Sequence, residues 1–122
     1  MGLLNRSDKA HAKCVHFSEN YRKKIITTEW ILVEVADAWS SSPERIQAAK
    51  FVQFVLHNPQ FQIVPSSSNL FLRGLTLYAK RLDKDWSLTD CISFVVMEDE
   101  NVTDALTGDR HFEQAGFKIL LE

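Results

Sequence analysis

Apolar positions along this chain form segments of two kinds, short continuous runs and longer stretches with helical spacing. The short runs predict strands at residues 25–27, 61–65, 102–106 and 117–121. The longer stretches predict helices at residues 7–24, 28–39, 43–57, 68–82 and 87–96, with a short helical turn at residues 109–115. Strands that alternate with helices predict parallel pairing and therefore an α/β sandwich.

Several side chains mark where these helices begin. Thr28 and Ser87 are of the type that caps helix starts, and Asp90 stands at the spacing of a capping box with Ser87. Pro43, which follows Ser42, predicts the first position of the next helix. The helix at residues 68–82 then carries one apolar face, formed by Phe71, Leu75, Tyr78 and Leu82.

The start of the chain departs from this pattern. An α/β fold of this type normally opens with a strand, yet the chain begins at once with Leu3-Leu4-Asn5, and the first strand-like run lies at residue 25. We therefore predict that the opening strand is missing.

Composition and charge narrow the class of protein. The 122 residues predict one domain, residues 1–122, and their 45% hydrophobic and 25% charged content is typical of soluble globular proteins. No apolar run approaches the roughly 20 residues of a membrane helix, and no secretion signal is recognisable. Cys14 and Cys91 indicate free thiols in a reducing cytosol, so we expect a cytoplasmic protein with no membrane partner. The net charge of −2 argues against strong non-specific binding to nucleic acid.

Three acids stand beside apolar or structured positions. Glu34 lies in an apolar helix, Asp90 at the front of another, and Asp109 after a predicted strand, where open α/β sheets place their sites. Each has an ordinary explanation, since Glu34 can face solvent and the two aspartates can cap helices. Together they predict a site for Mg²⁺ or Mn²⁺, because hard cations bind carboxylate oxygens and assist displacement at a phosphodiester.

The sequence around these acids resembles the PIN-domain family, in particular the VapC-type ribonuclease toxins of bacterial toxin–antitoxin pairs. Residues 27–35 (TTEWILVEV) are similar to the family's second motif, residues 87–94 (SLTDCISF) to the third, and residues 105–112 (ALTGDRHF) to the fourth. Residues 116–120 resemble the closing strand. The three motifs occur in the family's order, and the likeness runs through nearly the whole chain.

The resemblance implies a PIN-like three-layer α/β/α sandwich with a mainly parallel sheet. It implies a Mg²⁺- or Mn²⁺-dependent endoribonuclease that cleaves RNA phosphodiester bonds with a metal-activated water. Glu34, Asp90 and Asp109 are its implied catalytic metal ligands. Thr107 matches a position near the metal, where a hydroxyl can hold a water or an acid in place, although an ordinary strand-end threonine explains it equally well. A cognate antitoxin and a homodimer are the implied protein partners. For His111, local structure is the preferred explanation.

Family members open with a hydrophobic strand that ends in an aspartate, and the resemblance places both before Met1. Residues 3–8 resemble the end of the helix that follows, and Asp8 is no substitute for the missing acid. We expect the gap to leave unpaired sheet edges that favour dimerisation. Loss of one carboxylate implies low or absent activity. The alternative hypothesis is therefore a catalytically inactive PIN-like protein that binds an antitoxin or another protein, and a third is an unrelated α/β fold with structural acids.

Overall fold

The computed structural model of the chain describes residues 2–4, 24–41, 43–107 and 109–120. Its strands are β1 (Gly2–Leu4), β2 (Ile25–Thr28), β3 (Phe61–Val64), β4 (Asp104–Leu106) and β5 (Lys118–Ile119). Its helices are α1 (Glu29–Ala38), α2 (Arg45–His57), α3 (Ser68–Lys80), α4 (Leu88–Asp99) and α5 (Arg110–Gln114). The helix predicted at residues 7–24 falls outside the described residues except for Lys24, which is not helical.

The five strands form one sheet in the order β3-β2-β1-β4-β5, and all four neighbouring pairs are parallel. The chain moves outward from β1 through β2 to β3 and then crosses back to β4 and β5. Because crossover connections are right-handed, this reversal places α1 and α2 on one face of the sheet and α3, α4 and α5 on the other. The predicted α/β sandwich with a parallel sheet is confirmed.

The prediction that the opening strand is missing is wrong. Gly2–Leu4 forms the central strand, which pairs with Ile25 and Ile26 of β2 on one side and with residues 104–106 of β4 on the other. The predicted gap in the sheet is therefore filled. Three residues are too few to show a strand pattern, and β1 is fixed by long-range pairing instead. Leu4 is followed in the sequence by Asn5, so an asparagine stands where the resemblance implies an aspartate.

Local capping chemistry explains most helix starts. The Thr28 side chain accepts the N–H of Ile31 at 3.2 Å, and the Ser67 side chain accepts the N–H of Leu70 at 3.1 Å. In contrast, α2 begins at Arg45, two residues beyond the proline that was expected to open it, and the side chain of its N-cap residue, Glu44, makes no capping hydrogen bond. Within the described residues no helix combines the length and the apolar content needed to cross a membrane.

The core lies between the sheet and the helices. Among the helices, α1, α2, α4 and α5 contribute buried residues to the hydrophobic cluster, and α3 contributes none. The apolar face predicted on α3 is mostly at the surface, with Phe71, Leu75, Tyr78 and Leu82 between 40% and 88% exposed. This helix packs on α4 through its one buried residue, Gly74, which lies against Ile92.

Candidate metal centre

The strand order creates a switch point between β1 and β4, where the chain's direction of travel across the sheet reverses. Ligands of open α/β folds bind in the crevice beyond the carboxyl ends of the strands at such a point. Asp109 lies there, three residues after the end of β4. The fold therefore places Asp109 where open α/β sheets bind their ligands.

Two hydrogen bonds hold Asp109 at the start of α5. Its Oδ1 accepts the backbone N–H of His111 at 2.9 Å, so the side chain caps the helix. Its own backbone N–H donates to Oγ1 of Thr107 at 3.0 Å. Thr107 is fully buried, so its hydroxyl fixes the backbone of Asp109 from the protein interior.

Asp90 occupies the third position of α4 and forms the predicted capping box. Its Oδ2 accepts the N–H of Ser87 at 3.1 Å, and the Ser87 side chain accepts the N–H of Asp90 at 3.0 Å. The residue is only 7% exposed. A carboxylate this deeply buried requires partners that compensate the loss of water. His111 is a further partner, since its Nδ1 lies 2.9 Å from the same Oδ2 and donates to it when Asp90 is ionised.

The structure brings Asp90, Asp109 and His111 together. One ligand atom from each lies within 4.8 Å of the others. Oxygen ligands of one Mg²⁺ stand roughly 2.1 Å from the ion, and therefore about 3 Å apart when adjacent and about 4 Å apart when opposite. The three side chains thus fit a single cation after small adjustments.

The hydrogen bonds indicate which atoms are available to a cation. Oδ2 of Asp90 and Oδ1 of Asp109 already accept hydrogen bonds. Across the described part of the chain, the other oxygen of each carboxylate accepts none. Hard cations prefer these oxygens to an imidazole nitrogen. His111 is better suited to orient the carboxylates, in the way that groups behind a metal ligand commonly do.

Glu34 is not part of the close group that the described residues form. It lies half-buried on α1, which follows β2 on the far side of β1, and it takes part in an interaction of its own. The structure therefore brings two of the three predicted acids together. Thr107 supports Asp109 by contacting its backbone, which agrees with a hydroxyl that holds an acid in place.

His111 is the member of the group that sequence reasoning missed. The available signal was its spacing from Asp109, because a residue two positions after a helix N-cap can turn back toward the cap. That signal is weak alone, since the partner that matters, Asp90, is 21 positions away in the sequence.

Cys91 lies beside Asp90 but is fully buried, and burial together with the Asp90 charge raises the pKa of its thiol to about 11. The thiol is therefore neutral near pH 7 and adds no thiolate ligand.

No protein-family model and no curated protein matches the sequence. A comparison with solved structures shows that the chain shares its fold with a VapC toxin, which confirms the predicted PIN-like fold. One similar structure is the crystal structure of VapC20 from Mycobacterium tuberculosis, described as a sarcin-ricin loop cleaving toxin. The TM-score is 0.80, and the alignment covers 96% of each chain at 17% sequence identity. Identity this low establishes the shared fold and leaves the function to be argued from the site.

Proposed function

We propose that this protein is a metal-dependent endoribonuclease of the PIN-domain toxin type. The observation that carries the proposal is the convergence of Asp90 and Asp109 at the switch point of the sheet. Each carboxylate is held by hydrogen bonds through one oxygen and offers the other. Cleavage of RNA by a toxin of the same fold supports the choice of RNA as substrate.

In this proposal each residue of the group has a distinct task. Asp90 and Asp109 hold a Mg²⁺ or Mn²⁺ ion, which when bound supplies an activated water and neutralises charge at the phosphodiester. His111 and the Ser87 N–H fix Oδ2 of Asp90, and Thr107 fixes the backbone from which Asp109 projects. Glu34 is proposed as a third acid that joins the site through water or after a side-chain rotation. We place the activity in the cytoplasm.

The alternative function is an inactive PIN-like protein that acts by binding a partner. Asn5 favours it, because an amide stands where the resemblance implies an aspartate. A neutral amide oxygen is a weaker ligand for a hard cation than a carboxylate. The two hypotheses differ in one measurable property, which is metal-dependent cleavage of RNA.

The deciding experiment measures cleavage of a mixed RNA substrate with Mg²⁺, with Mn²⁺ and with chelator. The parent chain is compared with Asp90→Asn and Asp109→Asn, and Asp37→Asn on the exposed side of α1 is the matched control. We expect chelator-sensitive cleavage that both site variants lose by at least about 100-fold, since each removes a charged ligand. Calorimetric Mn²⁺ binding by the same variants reports the site without requiring turnover.

Two outcomes would contradict the ribonuclease proposal. One is Mn²⁺ binding that neither site variant weakens, and the other is cleavage that survives in chelator. If Mn²⁺ binds at Asp90 and Asp109 while RNA stays intact, the inactive alternative is supported. Glu34→Gln tests the third acid. If this variant binds Mn²⁺ as well as the control Asp37→Asn does, Glu34 is not part of the site.

The predicted protein partners are a cognate antitoxin and a second copy of the chain. With β1 in place, the edge strands of the sheet formed by the described residues are β3 and β5, so dimerisation through an unpaired central edge loses its basis. Phe71, Leu72 and Leu75 offer an apolar surface on α3 instead. Light scattering after size exclusion, with the parent and Leu72→Glu, tests whether the chain dimerises through this surface. A monomeric parent would contradict the dimer.

A further inference from the structure

A surface hollow of about 340 Å³ lies in the segment that connects α3 to α4. This volume is at the lower end of the range for small-ligand sites. The hollow is lined by Tyr78, Arg81, Leu82, Lys84, Asp85 and Trp86. Its lining therefore combines two aromatic rings with one more cation than carboxylates.

Trp86 forms the fixed part of this hollow. It is 6% exposed, its ring packs edge-on against Phe94 at 5.0 Å between centroids, and its Nε1–H donates to Oε1 of Gln114 at 3.1 Å. The Arg81 guanidinium lies 4.9 Å from the centre of the Trp86 ring. A bidentate ion pair with Asp83 further fixes this guanidinium. Two sides of the hollow are thus preorganised, which lowers the entropic cost of binding.

Tyr78 and Lys84 supply the accessible groups. Tyr78 is 48% exposed near the end of α3, so its ring presents a face to solvent. Lys84 is half-buried and is not part of any ion pair formed by the described residues. An exposed ring stacks on an unpaired base, and a neighbouring ammonium neutralises a phosphate.

Trp86 links the hollow to the candidate metal centre, by its place in the sequence and by a hydrogen bond. Trp86 precedes Ser87, whose backbone N–H donates to Oδ2 of Asp90. Gln114, the partner of the Trp86 ring, closes α5, the helix that Asp109 caps. Trp86, which lines the hollow, therefore contacts both helices that carry the paired carboxylates, through Phe94 of α4 and Gln114 of α5.

We propose that this hollow is a binding subsite for one unpaired nucleotide of a single-stranded RNA, flanking the phosphodiester held at Asp90 and Asp109. Tyr78 stacks on the base, and Arg81 and Lys84 contact the phosphate. This inference rests on the proposed ribonuclease function for its ligand class. It concerns binding alone and can be measured without cleavage.

The composition of the hollow favours RNA over an acidic peptide. Asp85 lines it, and Asp83 pairs with Arg81, so the successive carboxylates of an acidic peptide are repelled by like charge. A nucleotide instead combines one anionic group with a flat ring, and the hollow offers partners for both. Binding of this kind tolerates the overall charge of −2, because it uses local contacts instead of a long basic surface.

The test measures binding of a short fluorescein-labelled oligoadenylate to the full chain by fluorescence anisotropy, in chelator and at several salt concentrations. The variants are Tyr78→Leu, Arg81→Gln and Lys84→Gln. Tyr78→Phe keeps the ring, and Lys50→Gln on the exposed side of α2 is the matched control for lost charge. Circular dichroism melting confirms that each variant is folded.

We expect Tyr78→Leu to weaken binding about tenfold and Tyr78→Phe to leave it within about twofold, as for a stacked base. Arg81→Gln and Lys84→Gln should each weaken binding several-fold. Each should also reduce the slope of log K against log salt by about 0.7, the value for one phosphate on a single strand. Lys50→Gln should leave both the affinity and the slope unchanged.

The proposal of a nucleotide subsite in the hollow is refuted if the parent binds no oligoadenylate. It is also refuted if the variants of the hollow bind oligoadenylate as well as Lys50→Gln does. The cleavage experiment is independent of this result. A chain that binds through the hollow but never cleaves RNA with Mg²⁺ or Mn²⁺ overturns the ribonuclease proposal alone. If the parent cleaves RNA but the variants of the hollow bind oligoadenylate as well as the parent does, only the subsite proposal is overturned.

Discussion

Gly74 of α3 lies directly against Ile92 of α4, so the packing of these two helices is sensitive to substitution there. It is the buried residue of α3, and a methyl group there would overlap Cγ1 of Ile92 and lie 3.2 Å from the backbone N and Cα of that residue. The overlap with Cγ1 is the more severe, and Cγ1 has little freedom to move because Ile92 is buried and β-branched. Gly74→Ala therefore forces α3 and α4 apart.

The expected cost follows from two opposing effects. Overpacking of a helix contact costs about 1–3 kcal/mol, and we expect a cost of about 2–3 kcal/mol here because the buried Ile92 cannot move aside. Alanine gains about 1 kcal/mol of helix propensity over glycine. We expect Gly74→Ala to lower the free energy of unfolding by about 1–2 kcal/mol, and the melting temperature by roughly 3–8 °C for a chain of this size. Because α4 carries Asp90, Mn²⁺ affinity should fall as well.

Urea unfolding followed by circular dichroism measures the change, with Thr76→Ala on the exposed side of α3 as the control. A double-mutant cycle with Ile92→Ala identifies the cause, because removing Cγ1 should recover much of the loss. If Gly74→Ala is as stable as the parent, or if Ile92→Ala gives no recovery, the close approach of α3 and α4 is refuted.

Three further predictions test individual contacts. Thr107→Val leaves the N–H of Asp109 without its acceptor and should cost about 1–3 kcal/mol, whereas Thr107→Ser should retain parental stability; equal losses would contradict the role of the hydroxyl. Ser93→Ala should raise stability by roughly 0.5–1 kcal/mol, because Ser93 Oγ is buried with no hydrogen-bond partner among the described residues, and a loss would indicate a bound water. The Arg73 guanidinium donates to both oxygens of Asp99 at 2.7 Å and lowers the pKa of that carboxyl below its ordinary 3.8. Stability from this exposed pair is present above pH 3.8 and is lost as the pH falls through the lowered pKa. Arg73→Met should therefore be slightly less stable than the parent near neutral pH and equal to it in strong acid, as urea unfolding at the two pH values can show.

The features that could be predicted from the sequence are those fixed by near neighbours. The caps at Thr28 and Ser87 use residues three positions away, and the end of α2 is set by the Asn-Pro pair at residues 58–59. Asp90 and Asp109 stand in such local motifs, which is why both could be named as site residues. Their convergence followed from the strand order, and the general rule for parallel sheets anticipates it.

The features that could not be predicted depend on distant parts of the chain. A strand as short as β1 is defined by its pairing with β2 and β4, and its three residues carry no periodic signal. The exposed face of α3 had the spacing of a buried one, whereas the side that turns inward carries Leu70, Gly74 and Leu77. The role of His111 likewise required Asp90, which lies on another helix.

The central position of β1 has a consequence for how the protein is made. Leu3 pairs with Ala105, about 100 positions further along, so the middle of the sheet closes only after β4 has left the ribosome. Pairing at such sequence separation is slow, because the entropy of closing the intervening loop is lost before the contacts form. Asp109 lies just beyond β4 and depends on the same event. A nascent chain therefore brings Asp90 and Asp109 together only after β4 has been synthesised and has paired with β1.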